Sequence, residues 1–358
     1  MSNRSYWSEK EDEILKKYYL LEDGISSILK TLPNRTYNAI KARANTVLNL
    51  KRHIAYTKNE SFFEIPNIVN CAISGFIEAD GNIKEQEFEN GVLKSNGNIS
   101  IGIHGKDIKM LETIKSLTSY NGKIYTRIHK TKIKDYRSNS GKTKFYETRM
   151  AYLSFFDTMK WRKDLEKNWN ITPKKSLTMK APNLSSLEHI LAYYSGAICG
   201  DGSITLNKNI LRIDLLGTLD FLSFFKTSIK DIAPSKTNIN LERKGSKIYS
   251  FRTSGVSAYL LAKVMLCLDV PRLDRKWDVA RNYIKSVEST PQHHRFIFQL
   301  KNKINHQTID FLRKYNEEVP HLEIKKTSPR VLESLKYART QIKKGKIKNP
   351  SLFPAKSI

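Results

Sequence analysis

The sequence predicts an α+β chain: two pseudo-symmetric αββαββα halves joined through a pair of helices, preceded by a small all-α unit of three helices. Three observations predict it. The pattern S-G-x-I-x-[AG]-D-G is written twice, at Ser74–Gly81 and Ser195–Gly202, with its aspartates 121 residues apart (201 minus 80). A similar succession of helical and strand periodicities follows each copy. Residues 1–52 carry helix signals and no strand alternation.

Composition narrows the partner. The 358 residues allow two or three domains, and 39% hydrophobic content supplies real cores. There are 62 Lys plus Arg against 35 Asp plus Glu, a net charge of +27. Charge so one-sided suits a polyanion, nucleic acid first, and works against a merely soluble basic protein through self-repulsion. Cys71, Cys199 and Cys267 are far apart and form no CxxC pair, which argues against zinc and disulfides and for a reducing interior. No run approaches the roughly 18 apolar residues of a membrane helix, so no membrane partner is expected. The opening MSNRSYWSEKEDE lacks an apolar core, so no signal or transit peptide is expected.

The N-terminal unit is read from its caps. Ser8 and Glu11 form a capping box, and Glu9, Glu11 and Asp12 sit where a helix N-terminus favours negative charge. Ile14, Leu15, Tyr18 and Leu21 keep helical spacing, and Gly24 is expected to end this helix. Ile25, Ile28, Leu29 and Leu32 mark a second helix, and Pro33-Asn34 a turn. Thr36 caps a third, with Ile40, Ala44, Val47 and Leu48 on one face and Asn38, Lys41, Arg43 and Asn45 on the other. Three short helices with a polar, basic third describe a helix-turn-helix, and Asn and Arg are residue types that read base edges. W-S-x-x-E-D-x-x-L followed by L-P-N-R-T-x-x-A-I-x-x-R-A resembles the Myb/SANT-like DNA-binding family over about residues 6–50. Such units also bind proteins; the charge favours DNA. The polar, basic stretch 53–66, closed by Pro66, is read as a linker.

Residues 66–80 and 187–201 each fit a helix ending in Asp-Gly. Gly75 and Ala79, then Gly196 and Gly200, lie four apart and so on one face. A stripe without bulk lets a second helix approach closely. Asp80 and Asp201 fall in the last turn, where the helix dipole disfavours negative charge, and Gly81 and Gly202 are expected as left-handed caps. If the two helices pack side by side and parallel, the acids meet at one end, where they repel unless a cation sits between them. Oxygen ligands of this kind suit Mg²⁺ (or Mn²⁺), and the layout suits metal-assisted phosphodiester hydrolysis.

The halves, 67–182 and 183–290, continue alike. In the first, 98–104 alternates as a strand, 106–117 reads as a helix, 122–129 and 144–151 as strands and 153–168 as a helix. In the second, 208–216 is the strand, 219–230 the helix, 237–243 and 246–253 a hairpin and 256–268 a helix. Each closes with a basic turn, 170–176 and 269–277.

The duplicated motif resembles the LAGLIDADG homing endonucleases in their single-chain, two-motif form, with Ile73–Gly81 and Tyr194–Gly202 on the nine motif positions. The resemblance implies that Asp80 and Asp201 bind metal, that Ala79 and Gly200 supply backbone carbonyls, and that Lys175 and Lys276 in the basic turns point into the active site. Glu78 and Cys199 depart from the consensus at the sixth position. The implied function is Mg²⁺-dependent, staggered double-strand cleavage of a long DNA site by a monomer acting as a pseudo-dimer, inside the cell with the genome it targets. An RNA-binding intron maturase and a non-cleaving DNA-binding regulator are the alternatives. A curved antiparallel ribbon fits the major groove, and Arg127, His129, Lys132, Arg149, Arg212, Arg243, Lys247 and Arg252 are the candidate readers. Residues 291–358 are read as a basic extension, with a helix starting at Ser328-Pro329 and His293-His294 as surface.

Overall fold

The computed structural model describes residues 6–317 except 22–23, 51–55, 86, 90–91, 96, 135–142, 174, 176–177, 235–238, 243–244, 246, 290–295, 297–298 and 301–302, and omits the side chains of 87–89, 92–95, 131–134 and 143–145. It divides into two compact units, Met1–Thr57 and Lys58–Ile358.

In the smaller unit, Ser8 and Glu11 form the expected capping box at the start of α1 (Glu9–Tyr18). α2 (Gly24–Thr31) and α3 (Tyr37–Ala42, capped by Thr36) follow, and a wide π turn carries the chain on through Val47. Gly24 begins α2 rather than ending α1. A Cβ there would overlap the carbonyl oxygen of Tyr18, so the glycine is needed for close approach. Leu15, Tyr19, Ile28, Ile40 and Ala44 make the core, with Trp7, Leu29 and Leu48 packed on it. Val47, expected inward, is exposed, because the π turn rotates it off the apolar face.

The larger unit begins before the first motif. Residues 58–66 are not a linker. Phe63 is fully buried between Trp161 and Trp169 (ring centroids 5.1 and 5.9 Å). The Trp161 indole N–H donates to the Asn59 carbonyl (2.9 Å), and the Asn168 amide to those of Phe63 (2.9 Å) and Glu64 (3.1 Å). The apolar pair inside a polar stretch was the sequence signal for this.

α4 (Ile68–Asp80) starts at a capping box of Asn67 and Asn70. It runs directly into β1 (Gly81–Ile83); β2 (Glu87–Glu89) and β3 (Val92–Ser95) form a separate ribbon, followed by β4 (Asn98–His104) and α5 (Ile108–Leu117). Next come β5 (Tyr125–Lys134), β6 (Thr143–Phe156) and α6 (Met159–Trp169). Residues 153–156 are strand, not helix: Ala151, Leu153 and Phe155 keep the inward period of two, and all are fully buried. β5 likewise extends five residues past the expected 129.

The second half repeats the plan with α7 (Leu187–Asp201), β7 (Gly202–Asn207), β8 (Ile210–Gly217), α8 (Leu219–Ser228), β9 (Asn240–Leu241), β10 (Tyr249–Ser254) and α9 (Val256–Leu266). The two sheets are ordered β1-β4-β6-β5 and β7-β8-β10-β9. Numbered within each half, both run first-second-fourth-third, antiparallel throughout, so the halves share one topology.

The strands β1, β2, β3 and β7 were not located in the sequence, and two helices also went unread. The basic turn at 269–277 leads into α10 (Asp274–Ser289), and α11 (His306–Lys314) follows. α11 is not part of an appendage: Phe311 and Leu312 are buried, and the Thr308 hydroxyl donates to the Ile232 carbonyl (2.7 Å). His293-His294 and the helix expected at Ser328-Pro329 lie outside the described residues.

Candidate functional site

α4 and α7 pack side by side and parallel. A Cβ added at Gly75 would overlap the Tyr193 carbonyl oxygen, one at Gly196 that of Ala72, and one at Gly200 the Ala79 side chain. Residues 72–76 of one helix thus face 193–197 of the other, and 79–80 face 200, so the helices run the same way; only glycine lets backbone meet backbone here. The acids arrive at the same end, where the Cβ position of Gly200 is 3.2 Å from the Asp80 Cγ.

Gly81 and Gly202 are not left-handed caps. Their φ/ψ are −80/151° and −101/172°, extended backbone that leads straight into β1 and β7. A side chain is excluded by space instead: a Cβ at Gly81 would lie 2.9 Å from the Ile77 Cα, and one at Gly202 2.7 Å from the Ile198 Cα and 2.9 Å from the Asp214 oxygen.

Burial, and then the neighbouring Asp201, push the Asp80 carboxyl up to about 6, against the opposing pull of Lys276, Lys175 and Arg275. Burial also raises Asp201, against Lys175 and Lys276. Both lysines are drawn down by the same burial. This is one electrostatic cluster, with carboxylates and ammoniums sharing a partly desolvated cleft.

The lysines do a second task. Lys276 Nζ donates to the carbonyls of Ile198 (3.1 Å), Cys199 (2.5 Å), Gly200 (2.8 Å) and Gly202 (2.7 Å). Lys175 Nζ donates to Glu78 and, at 3.3 Å, to Ala79. A helix leaves its last four carbonyls without intrahelical partners and its end negative, and each lysine caps one motif helix. The Ala79 and Gly200 carbonyls, expected as metal ligands, thus accept from ammonium groups. Arg275, next to Lys276 in the chain, ion-pairs with Asp107 of the other half (2.7 Å).

The sixth motif position, where the sequence departs from the consensus, differs between the halves. Glu78 is buried, its Oε2 has no partner among the described residues, and burial raises its carboxyl to about 8 despite the nearby Lys175 charge. Cys199 accepts instead from the Trp277 indole (3.2 Å) and the Leu273 amide (3.4 Å).

Sheet register sorts the expected readers. In the first sheet, Ile101, Leu153 and Ala151 define the inward face. Arg127 and His129 lie on the other face; Arg127 rests over Tyr125 (5.3 Å), and His129 Nε2 is 2.6 Å from the Tyr152 hydroxyl. Arg149 pairs with Ile128 on the inward parity, beyond the end of the core, because a one-residue offset reverses the face. The side chain of Lys132 and all of Arg243 lie outside the described residues; Lys247 is exposed beside the turn. Arg212 and Arg252 lie on the outer face of the second sheet, opposite Leu211, Ile213 and Phe251. In the smaller unit Asn38 and Lys41 are exposed. Arg43 is not available in the same way, since it pairs with Asp12 (2.6 Å), and Asn45 accepts from the Tyr19 hydroxyl (3.1 Å).

Among the described residues no helix is long and apolar enough to cross a membrane. No protein-family model matches the sequence, and no curated protein does. Among solved structures the chain is similar to the I-LtrWI LAGLIDADG homing endonuclease bound to target DNA, at 12% identity and a TM-score of 0.38, covering 70% of this chain and 100% of that one. It is also similar to mesophilic variants of the homing endonuclease I-DmoI, at 12% identity and 0.38, covering 62% and 99%. I-GzeII, a LAGLIDADG homing endonuclease in complex with its DNA target, gives 12% and 0.38, covering 68% and 99%. At these values the likeness decides nothing about what the chain does.

Proposed function

We propose that the chain is a LAGLIDADG-type homing endonuclease that binds double-stranded DNA and hydrolyses one phosphodiester on each strand of a long, near-asymmetric site. One observation carries this reading: a glycine-enforced parallel helix pair delivers Asp80 and Asp201 to one place, and a sheet begins at the residue after each acid. Two like carboxylates at one place, Asp80 half-buried and Asp201 at the exposed rim, ask for a cation. Among the described residues no third acid, His or Cys joins them, and that sparse oxygen set fits Mg²⁺, which keeps water and takes phosphate oxygens.

In this reading Asp80 and Asp201 hold Mg²⁺ (or Mn²⁺), which when bound polarises the phosphodiester and acidifies a water. Lys175 and Lys276 brace the helix ends that aim the acids, and their charge favours the negative charge that grows on the phosphoryl oxygens. The outer faces of the two sheets lie along the major groove, with Arg127, His129, Arg212 and Arg252 toward base edges. Residues 1–57 add a second contact through Asn38 and Lys41. The test is incubation of the full chain with Mg²⁺ and a randomised duplex library, followed by sequencing of the ends. Staggered breaks at one long site are expected; an intact library or random nicks would contradict the reading.

A further inference from the structure

On the outer face of the second sheet one carboxylate stands between two guanidiniums. Asp214 of β8 is the cross-strand partner of Arg252 on β10, and Arg212 lies two residues before it on the same strand and face. Arg212 grips Asp214 with its side fork, Nε to Oδ2 at 2.7 Å and Nη2 to Oδ1 at 2.9 Å. Arg252 Nε reaches Oδ1 at 2.5 Å. Asp214 itself is largely covered, with 14% side-chain exposure, while the arginines stand out at 29% and 46%.

A carboxylate on a surface meant for a polyanion is a repulsive element, so its place needs a reason. An arginine offers five N–H donors in a rigid plane. With the Nε edge held by Asp214, the end-on fork is fixed in direction, and among the described residues no acceptor takes it. An end-on fork matches guanine O6 and N7. Diagonal neighbours on adjacent strands lie roughly 7–8 Å apart, and bases along one strand are about 3.4 Å apart. We propose that Asp214 is a specificity-determining positioning residue that presets Arg212 and Arg252 to read two guanines within two base-pair steps in the half-site under the second sheet. The inference rests on the DNA-binding reading above and deepens it. The first sheet has no such device among its described residues: Arg127 rests on the Tyr125 ring.

The experiment is binding selection from a randomised duplex library without divalent metal, using the full chain, Asp214→Asn and Arg212→Lys, with melting temperatures recorded. Wild type should enrich two guanines at that spacing. Asp214→Asn should lose on the order of tenfold discrimination at both, while binding random duplex more tightly because a negative charge is gone. Arg212→Lys, which keeps Asp214 and the charge, should relax one guanine only. Unchanged preferences in Asp214→Asn, or equal weakening on every sequence, would overturn the inference. A wild-type chain that binds duplex DNA with no sequence preference would overturn the function reading and this inference with it.

Discussion

The two halves share a topology but are completed by opposite ends of the chain. The first takes its cover from residues before its motif: Phe63 fills a tryptophan cage, and Glu64 pairs with Lys160 (2.5 Å). The second takes its cover from residues after its last motif helix: α11 lays Phe311 and Leu312 inward, and Lys314 and Tyr315 both donate to Glu188. The helix ends differ too. Lys276 satisfies four carbonyls beside a cysteine, whereas Lys175 satisfies two beside a buried glutamate. A symmetric backbone does not impose symmetric surroundings on its two acids, so each half-site must be argued from its own neighbours.

The largest effect should fall where the halves are alike. Gly75→Leu and Gly196→Leu both force bulk onto the opposing backbone, so each should cost more than the roughly 1–3 kcal/mol of ordinary overpacking and leave little folded protein by circular dichroism. A mild loss at either site would mean the helices do not meet as described. Gly245→Ala is the control: its φ is +82° with open space around it, and the cost should stay near 1 kcal/mol.

Next come the deletions. Removing residues 1–57 should leave the larger unit folded, whereas removing 1–66 takes Phe63 and should cost about 3–5 kcal/mol. Ending the chain after Lys303 should weaken the second half comparably through Phe311 and Leu312. Calorimetry on the three chains checks this, and equal melting temperatures for the first two would return 58–66 to the status of a linker.

Lys276→Met should lower the melting temperature more than Lys175→Met, since it takes the ammonium from the carbonyls of Cys199, Gly200 and Gly202 (that of Ile198 keeps the Gly202 amide) rather than from two, at about 1–3 kcal/mol for a buried unsatisfied group. The reverse order would show that the Glu78 side chain, not the carbonyls, is what Lys175 chiefly serves.

The smallest effect is acid. Hydrogen bonds from Lys314 and Tyr315 hold the Glu188 carboxyl below its usual value, and one from Lys160 does the same for Glu64. A depressed carboxylate contributes above its unfolded pKa and loses that contribution as pH falls through the native one. Both clasps should therefore loosen below about pH 4.5. Glu188, with 25% side-chain exposure against 54% for Glu64, should give the larger change. Hydrogen exchange at residues 58–66 and 305–315 between pH 7 and 4 reads it.

The repeat, its glycine stripe and its paired acids were legible because local spacing sets which residues share a helix face. The two-half architecture followed from the same periodicities. Phe63 was missed because two apolar residues in a polar stretch show no period. α10 and α11 were missed because a basic turn and the charged run after it masked Trp277, Ile284, Phe311 and Leu312. Glu78 and the pairing of Asp214 with two arginines depend on register and burial, and neither is written in a single strand or helix. Arg43 looked like a reader because its partner Asp12 is distant in sequence.

The central claim is that Asp80 and Asp201 together make one metal-dependent cleft. Asp80→Asn and Asp201→Asn keep size and remove charge, so they can be compared on one labelled duplex carrying the selected site, with Mg²⁺, following binding and each strand separately. The account predicts duplex affinity within a few-fold of wild type and loss of double-strand cleavage in both variants. Full cleavage by either one would contradict it.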